Sequence, residues 1–177
     1  MHLGSRAGRG VTRVGARGYF MACSHVGHDC DVGDDVTFAN GAVLGGHVVV
    51  GDGVIFGGLS AVQQRGRVGK GAMIGGVTGV NRDVIPYAMA FGDHVELAGL
   101  NLIGLKRRKL SRETINAMRA AFRAIFLSEG GSIADRARAA RVTWQEVQEV
   151  GEIVDFILAD AHQPLCTARR RLETDGE

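Results

Sequence analysis

The chain has 177 residues, of which 45% are hydrophobic and 23% charged, with a formal net charge of +2. So much apolar content excludes an intrinsically disordered chain, and so small a net charge gives no reason to expect nucleic acid as a partner. No apolar run is long enough to span a membrane, and the Gly- and Arg-rich start holds no apolar signal segment. Cys23, Cys30 and Cys166 show none of the paired spacing that zinc sites use. We therefore expect a cytoplasmic protein with no membrane span and no metal.

Residues 1–13 carry a failing repeat, and we expect a poorly ordered start or partial coil there. From Val14 an apolar residue recurs every sixth place, through Phe20, Val26, Val32, Phe38, Leu44, Val50, Phe56, Val62, Val68 and Ile74 to Val80. Four places further into each hexad stands a residue no larger than Val, such as Cys30, Ala42 or Ser60. A strict period of six with a large and a small apolar partner is the pattern of a parallel β-helix. With three hexads to a coil, residues 14–91 form about four coils, and a strand spacing of ~4.8 Å makes a rod ~19 Å tall. Gly is concentrated in this half, where we expect it to serve corners that need φ > 0. Pro86 closes the repeat.

Residues 92–177 read as a helical domain. Ser111 caps a segment whose Ile115, Met118, Phe122, Ile125 and Phe126 recur at helical spacing, and Gly130 with Gly131 stops it. Ser132 with Asp135 opens a second helix, and Thr143 with Glu146 has the capping-box pattern for a third. The basic run from Lys106 to Lys109 reads as a solvated face, and the tail from Thr167, with Arg169 to Arg171, as frayed.

The repeat supplies its own ruler. Adding eighteen to His28 reaches Gly46, beside His47, and eighteen more reach Gln64, beside Gln63. His25 lies in the same coil as His28, so these residues are expected along one longitudinal edge. A histidine there can take a proton from a hydroxyl if a partner fixes its tautomer, and Asp29 is the adjacent candidate. The competing readings are surface histidines with no role, and zinc held by three histidines across a trimer interface, as in gamma-class carbonic anhydrases.

Several strings carry a specific resemblance: His25-Val-Gly-His-Asp-Cys30, Leu44-Gly-Gly-His47, Ile74-Gly-Gly-Val-Thr-Gly-Val80, Asp83-Val-Ile-Pro-Tyr87 and Gly104-Leu-Lys-Arg-Arg108. Together they resemble the acyl-carrier-protein-dependent UDP-N-acetylglucosamine O-acyltransferases, which begin lipid A synthesis. The match is close over about residues 14–128 and looser beyond. It implies a left-handed β-helix, a hand that the sequence does not itself supply, followed by a helical domain. It also implies a homotrimer with active sites between subunits. The implied co-substrates are UDP-N-acetylglucosamine and an acyl carrier protein thioester, with no further cofactor.

The same resemblance implies that His28 is the general base for the glucosamine 3-hydroxyl, that Asp29 orients it, and that Gly46 offers its N–H to the oxyanion. His25 and His47 match substrate contacts, and Gln64, Asn101 and Arg108 match nucleotide or sugar contacts. Arg107 matches a position near the phosphopantetheine. Gly76 matches the measure of acyl length, with His94 near the same groove. Gln63 stands where many members have another histidine, and members carry a longer β-helix, so the chain reads as a fragment or natural truncation, weakly active or inactive alone. The alternatives are another acyl- or acetyltransferase on the same coil, and an inactive trimeric scaffold.

Overall fold

The computed structural model describes residues 1–168 apart from Ala7 and Asp93. Twelve two-residue strands follow one another at intervals of six residues. They are β1 (Arg13–Val14), β2 (Tyr19–Phe20), β3 (His25–Val26), β4 (Asp31–Val32), β5 (Thr37–Phe38), β6 (Val43–Leu44), β7 (Val49–Val50), β8 (Ile55–Phe56), β9 (Ala61–Val62), β10 (Arg67–Val68), β11 (Met73–Ile74) and β12 (Gly79–Val80). Every third strand joins the same parallel sheet, in the orders β1-β4-β7-β10, β2-β5-β8-β11 and β3-β6-β9-β12. Arg13 therefore lies opposite Asp31, Asp31 opposite Val49 and Val49 opposite Arg67, the eighteen-residue register that the hexads dictate. The molecule is a β-solenoid of about four turns with helices at its C-terminal end.

The period also sorts the side chains. From Val26 onward the second residue of each strand is buried and points into the rod. The small positions are buried too, with Cys30, Val36, Ala42, Val48, Val54 and Ala72 all fully enclosed. Large residues on the flat sides and small ones at the corners thus share the triangular section. Phe20, Phe38 and Phe56 stack along the axis with ring centroids 4.9 and 4.6 Å apart. Val14 and Phe20 stay exposed, with no coil beneath them among the described residues.

Only some of the glycines serve the purpose expected, with Gly41, Gly53 and Gly71 at corners of positive φ. One residue per hexad has φ near +60°, yet most of these are not glycine: Arg17, Cys23, Asp29, Asp35, His47, Leu59, Arg65 and Val77. From Asp35 onward a hydrogen bond to the coil below holds each such corner, as where His47 N–H donates to His28 O and Arg65 N–H to Gly46 O, both at 2.9 Å. The glycines concentrate instead just after the inward apolar residue. A Cβ on Gly57 would stand 2.4 Å from Gly76 N, and one on Gly45 would stand 2.7 Å from Gln64 N. Close stacking of coils, rather than left-handed backbone, excludes side chains there.

Strand β13 (Ala88–Phe91) adds to β11 in parallel, and β14 (Glu96–Leu100) turns back antiparallel to it. The sheet therefore runs past the boundary expected at residue 92. Helices begin at α1 (Leu102–Arg107), which contains part of the basic run, and continue with α2 (Arg112–Phe126), α3 (Ile133–Thr143) and α4 (Gln148–Leu158). Ser111 caps α2, and Ser132 with Asp135 forms a reciprocal capping box on α3, as the sequence predicts. The third box does not form. Thr143 ends α3, its hydroxyl donating to Ala139 O at 3.1 Å, and α4 starts after Val147 with no side-chain cap.

Beyond α4 the chain returns to the rod. Cys166 N–H donates to Asp83 O at 2.8 Å, and Leu97 N–H to Thr167 O at 2.8 Å, so the chain is held to the rod as far as Thr167. Arg169 to Arg171 lie outside the described residues. Helix α4 docks through polar contacts around an aromatic. Arg67 Nε lies 2.6 Å from buried Asp83 Oδ2 while its guanidinium covers the Phe156 ring at 4.3 Å. Tyr87 O–H and Lys70 Nζ both meet Glu152. No helix among the described residues is long and apolar enough to cross a membrane.

Candidate active site

A triangular solenoid has three longitudinal edges, and the expected site residues divide among them. The first edge joins the β3 and β4 sheets through residues 27–30, 45–48 and 63–66. His28, Gly46 and Gln64 stack there at one corner place, with Asp29, His47 and Arg65 at the next. The second edge, through residues 51–54 and 69–72, carries Arg108, whose guanidinium reaches Asp52 O at 3.4 Å and Gly53 O at 3.5 Å. The third, through residues 39–42, 57–60 and 75–78, carries Gly76. His94 lies in the β13–β14 turn above it, since Ala90 pairs with Ile74.

The first edge holds the cluster of titratable side chains. His28 Nδ1 lies 2.9 Å from Asp29 Oδ2. The Asp29 side chain is fully enclosed, while that of His28 is 42% exposed. A carboxylate can only accept here, so Nδ1 carries the proton and the Nε2 lone pair is left for another group. The hydrogen bond from His28, joined by others from Ser5 and Gly10, holds the Asp29 carboxyl well below the ordinary carboxylate range against the opposing effect of burial. Asp29 therefore stays ionised and acceptor-only at neutral pH.

Gly46 completes this corner by having no side chain. A Cβ there would stand 2.6 Å from both Cε1 and Nε2 of His28, so the imidazole rests against the bare α-carbon. Among the described residues the Gly46 N–H meets no acceptor, whereas the equivalent N–H of Asp34 donates to Asp52 Oδ1 at 2.8 Å. The His47 ring stands edge-on to that of His28 with centroids 5.0 Å apart. A ring nitrogen left to accept a proton, a backbone position bare of side chain and an unused donor thus lie together at one corner. Such a site suits proton removal beside a developing oxyanion.

His25 is not part of this group. It lies on the flat side of β3 rather than at the corner, and its ring packs against His2 at 4.6 Å. Burial, with the nearby charges of His2 and the N-terminus, lowers its pKa. Asn101 is nearly enclosed and caps α1: its Oδ1 accepts from Gly104 N–H at 2.9 Å and its Nδ2 donates to Gly71 O at 3.1 Å. Both ends of the amide are occupied, a structural role that the sequence did not suggest. Arg107 is exposed in the last turn of α1. Gln64 lies on the His28 edge, its backbone O accepting from Gln163 Nε2 at 3.1 Å.

The metal reading can be tested against the donors. One atom each from His28, Asp29 and His47 lies within 4.8 Å of the others. Asp29, however, already accepts from His28, from Ser5 twice and from Gly10, which leaves little lone-pair capacity for an ion. His25 and His28, three apart in sequence, face different neighbours. The arrangement fits an acid–base pair better than a metal centre. The residues that sequence reasoning missed are Ser5, Gly8, Gly10 and Thr12, which close over Asp29 from a segment with no periodic signal.

Comparison with known proteins narrows the chemistry. Residues 83–166 match the family model described as UDP-N-acetylglucosamine O-acyltransferase, domain 2. The chain is 59% identical over 172 residues to the acyl-[acyl-carrier-protein]–UDP-N-acetylglucosamine O-acyltransferase of Caulobacter vibrioides, covering 97% of this chain and 65% of that one. The UDP-N-acetylglucosamine acyltransferase from Campylobacter jejuni superposes with a TM-score of 0.86 at 32% identity, covering 94% of this chain and 64% of that one. The Arabidopsis UDP-N-acetylglucosamine acyltransferase gives 0.84 at 34%, covering 89% and 57%. The chain spans between about half and two thirds of the length of the curated relatives it matches.

Proposed function

We propose that this chain, a homologue of the UDP-N-acetylglucosamine O-acyltransferases along 97% of its length, carries the reacting part of that acyl transfer. The reaction moves a 3-hydroxyacyl group from the thioester of acyl carrier protein to the 3-hydroxyl of UDP-N-acetylglucosamine, the first step of lipid A synthesis. The observation that carries the reading is the corner where the His28–Asp29 pair lies against side-chain-free Gly46 with its open N–H.

The steps follow from that corner. His28 Nε2 removes the proton of the sugar hydroxyl as its oxygen attacks the thioester carbonyl. Asp29 stabilises the resulting imidazolium and prevents ring rotation. The tetrahedral oxyanion takes the Gly46 N–H, a donor worth several kcal/mol where water is excluded. Collapse breaks the carbon–sulfur bond, and the imidazolium returns its proton to the departing thiolate. No covalent enzyme intermediate and no cofactor beyond the thioester is required.

The division among edges supports the trimer. His28, Arg108 and Gly76 lie on three different edges of one rod, and a cleft between two copies is the simplest way to bring them to a single substrate. A neighbouring copy that packs a second or third edge against the first completes the set. Arg108 then supplies a guanidinium to the nucleotide, and Gly76 and His94 border the acyl chain. The same assembly covers exposed apolar residues, among them Val43 and Val49 on flat sides and Leu59 on the third edge. A reducing cytoplasm, where both thioester and nucleotide sugar are made, is the fitting compartment.

The test is a panel of donors and acceptors with the purified chain. We expect weak transfer from 3-hydroxyacyl acyl carrier protein to UDP-N-acetylglucosamine, with the product ester on the 3-oxygen. Transfer from acetyl-coenzyme A alone would assign it to another branch of the hexapeptide acyltransferases. Transfer from no donor would favour the scaffold reading.

A further inference from the structure

The segment before the first strand reaches the catalytic corner directly. Ser5 donates twice to Asp29 Oδ2, from its N–H at 3.0 Å and its Oγ at 2.8 Å. This is the same oxygen that His28 Nδ1 meets at 2.9 Å. Gly10 N–H holds the other carboxylate oxygen at 2.8 Å. Gly8 fits so tightly between them that a Cβ there would stand 2.5 Å from Asp29 Oδ2 and 2.7 Å from His47 Cε1.

These contacts answer a need created by the solenoid. Asp29 has φ of +59°, and at the equivalent corners one coil on, such as His47, the N–H donates to the carbonyl beneath. Asp29 belongs to the first such corner on this edge, and Thr12 Oγ1 accepts its N–H at 2.8 Å instead. The carboxylate itself would be free to turn about its Cβ–Cγ bond if His28 were its sole partner. Two donors on one oxygen and one on the other define its plane, and that plane defines where the imidazole points.

We propose that Ser5 is a positioning residue that acts through Asp29 to hold His28 in the Nδ1–H tautomer with Nε2 turned toward the substrate. The proposal rests on the reading of His28 as the base. Ser5 does not touch the reacting atoms. Its hydroxyl fixes the acceptor that fixes the base, as outer partners do for metal-bound histidines.

Two readouts on the whole chain test it. The first is a nitrogen–proton correlation spectrum of the imidazoles at a pH where they are neutral. The wild type and Ser5→Thr should show His28 as the Nδ1–H tautomer, and Ser5→Ala should show a mixture. The second is kinetic. Ser5→Ala should lower kcat about 10-fold with KM for the nucleotide sugar unchanged, and should cause no further loss when added to Asp29→Asn. If Ser5→Ala does not fold, Ser5→Cys, whose thiol is a weak donor, is read in the same way. An unaltered His28 tautomer in the folded variant would overturn the proposal, whatever the activity. A wild-type chain with no transfer activity would overturn the functional reading alone and leave the tautomer to decide the role of Ser5.

Discussion

Replacement of His28 by Ala should lower kcat by about 10²–10⁴-fold, the usual worth of a positioned general base. The protein should remain folded, because the ring is partly exposed and rests on Gly46 rather than in the core. The loss should fall on kcat more than on KM, since the imidazole acts on a proton that moves in the transition state. Asp29→Asn should also be impaired, because an amide can donate to Nδ1 and so favour the wrong tautomer. Steady-state kinetics on the two variants, with circular dichroism to establish folding, checks both. A folded His28→Ala protein that kept more than half its activity would remove the base from the mechanism.

The largest effect on stability is expected at Phe38. Its side chain is fully buried and stacked between Phe20 and Phe56 along the axis of the rod. Phe38→Ala removes a ring that no neighbour can replace, since the flanking coils are pinned by interstrand hydrogen bonds eighteen residues apart in register. We expect a loss of about 3–5 kcal/mol, as for other buried Phe→Ala substitutions. At 2–4 °C per kcal/mol for a chain of this size, the thermal midpoint should fall by roughly 10 °C. The same substitution at Phe20, which is 39% exposed at the open end, should cost less. Equal midpoints for the two variants would contradict the inward packing derived from the hexads.

The period of six carried most of the architecture, because in a solenoid each residue contacts its own repeat and the one beside it. His28 and Gly46 were legible as neighbours for the same reason: eighteen residues are one coil. His25 was misplaced because proximity in a coil does not decide between flat side and corner, and two residues of offset separate them. Gly41, Gly53 and Gly71 stand at left-handed corners as expected, but most repeat glycines do not, because composition alone does not distinguish a left-handed corner from a crowded one. Thr143 failed as a cap because the helix before it runs on and takes its hydroxyl. Helix α1 was missed because its basic residues drew attention and its cap, Asn101, was read by resemblance as a ligand. The hold of Ser5 on Asp29 spans 24 residues with no repeat to measure it, so only coordinates could reveal it.

The central claim is that His28 of one copy works with groups on a different edge of the next. Co-expression of His28→Ala and Arg108→Ala chains measures this directly. Each variant alone should be nearly inactive, since every interface then lacks one of the two groups. In mixed trimers an interface that joins the intact His28 of one chain to the intact Arg108 of its neighbour is restored, and random assembly makes about a quarter of them whole. Recovery of that order is the predicted result. Mixed assemblies no more active than the separate variants would show that both groups must come from one chain, and the shared site would have to be abandoned.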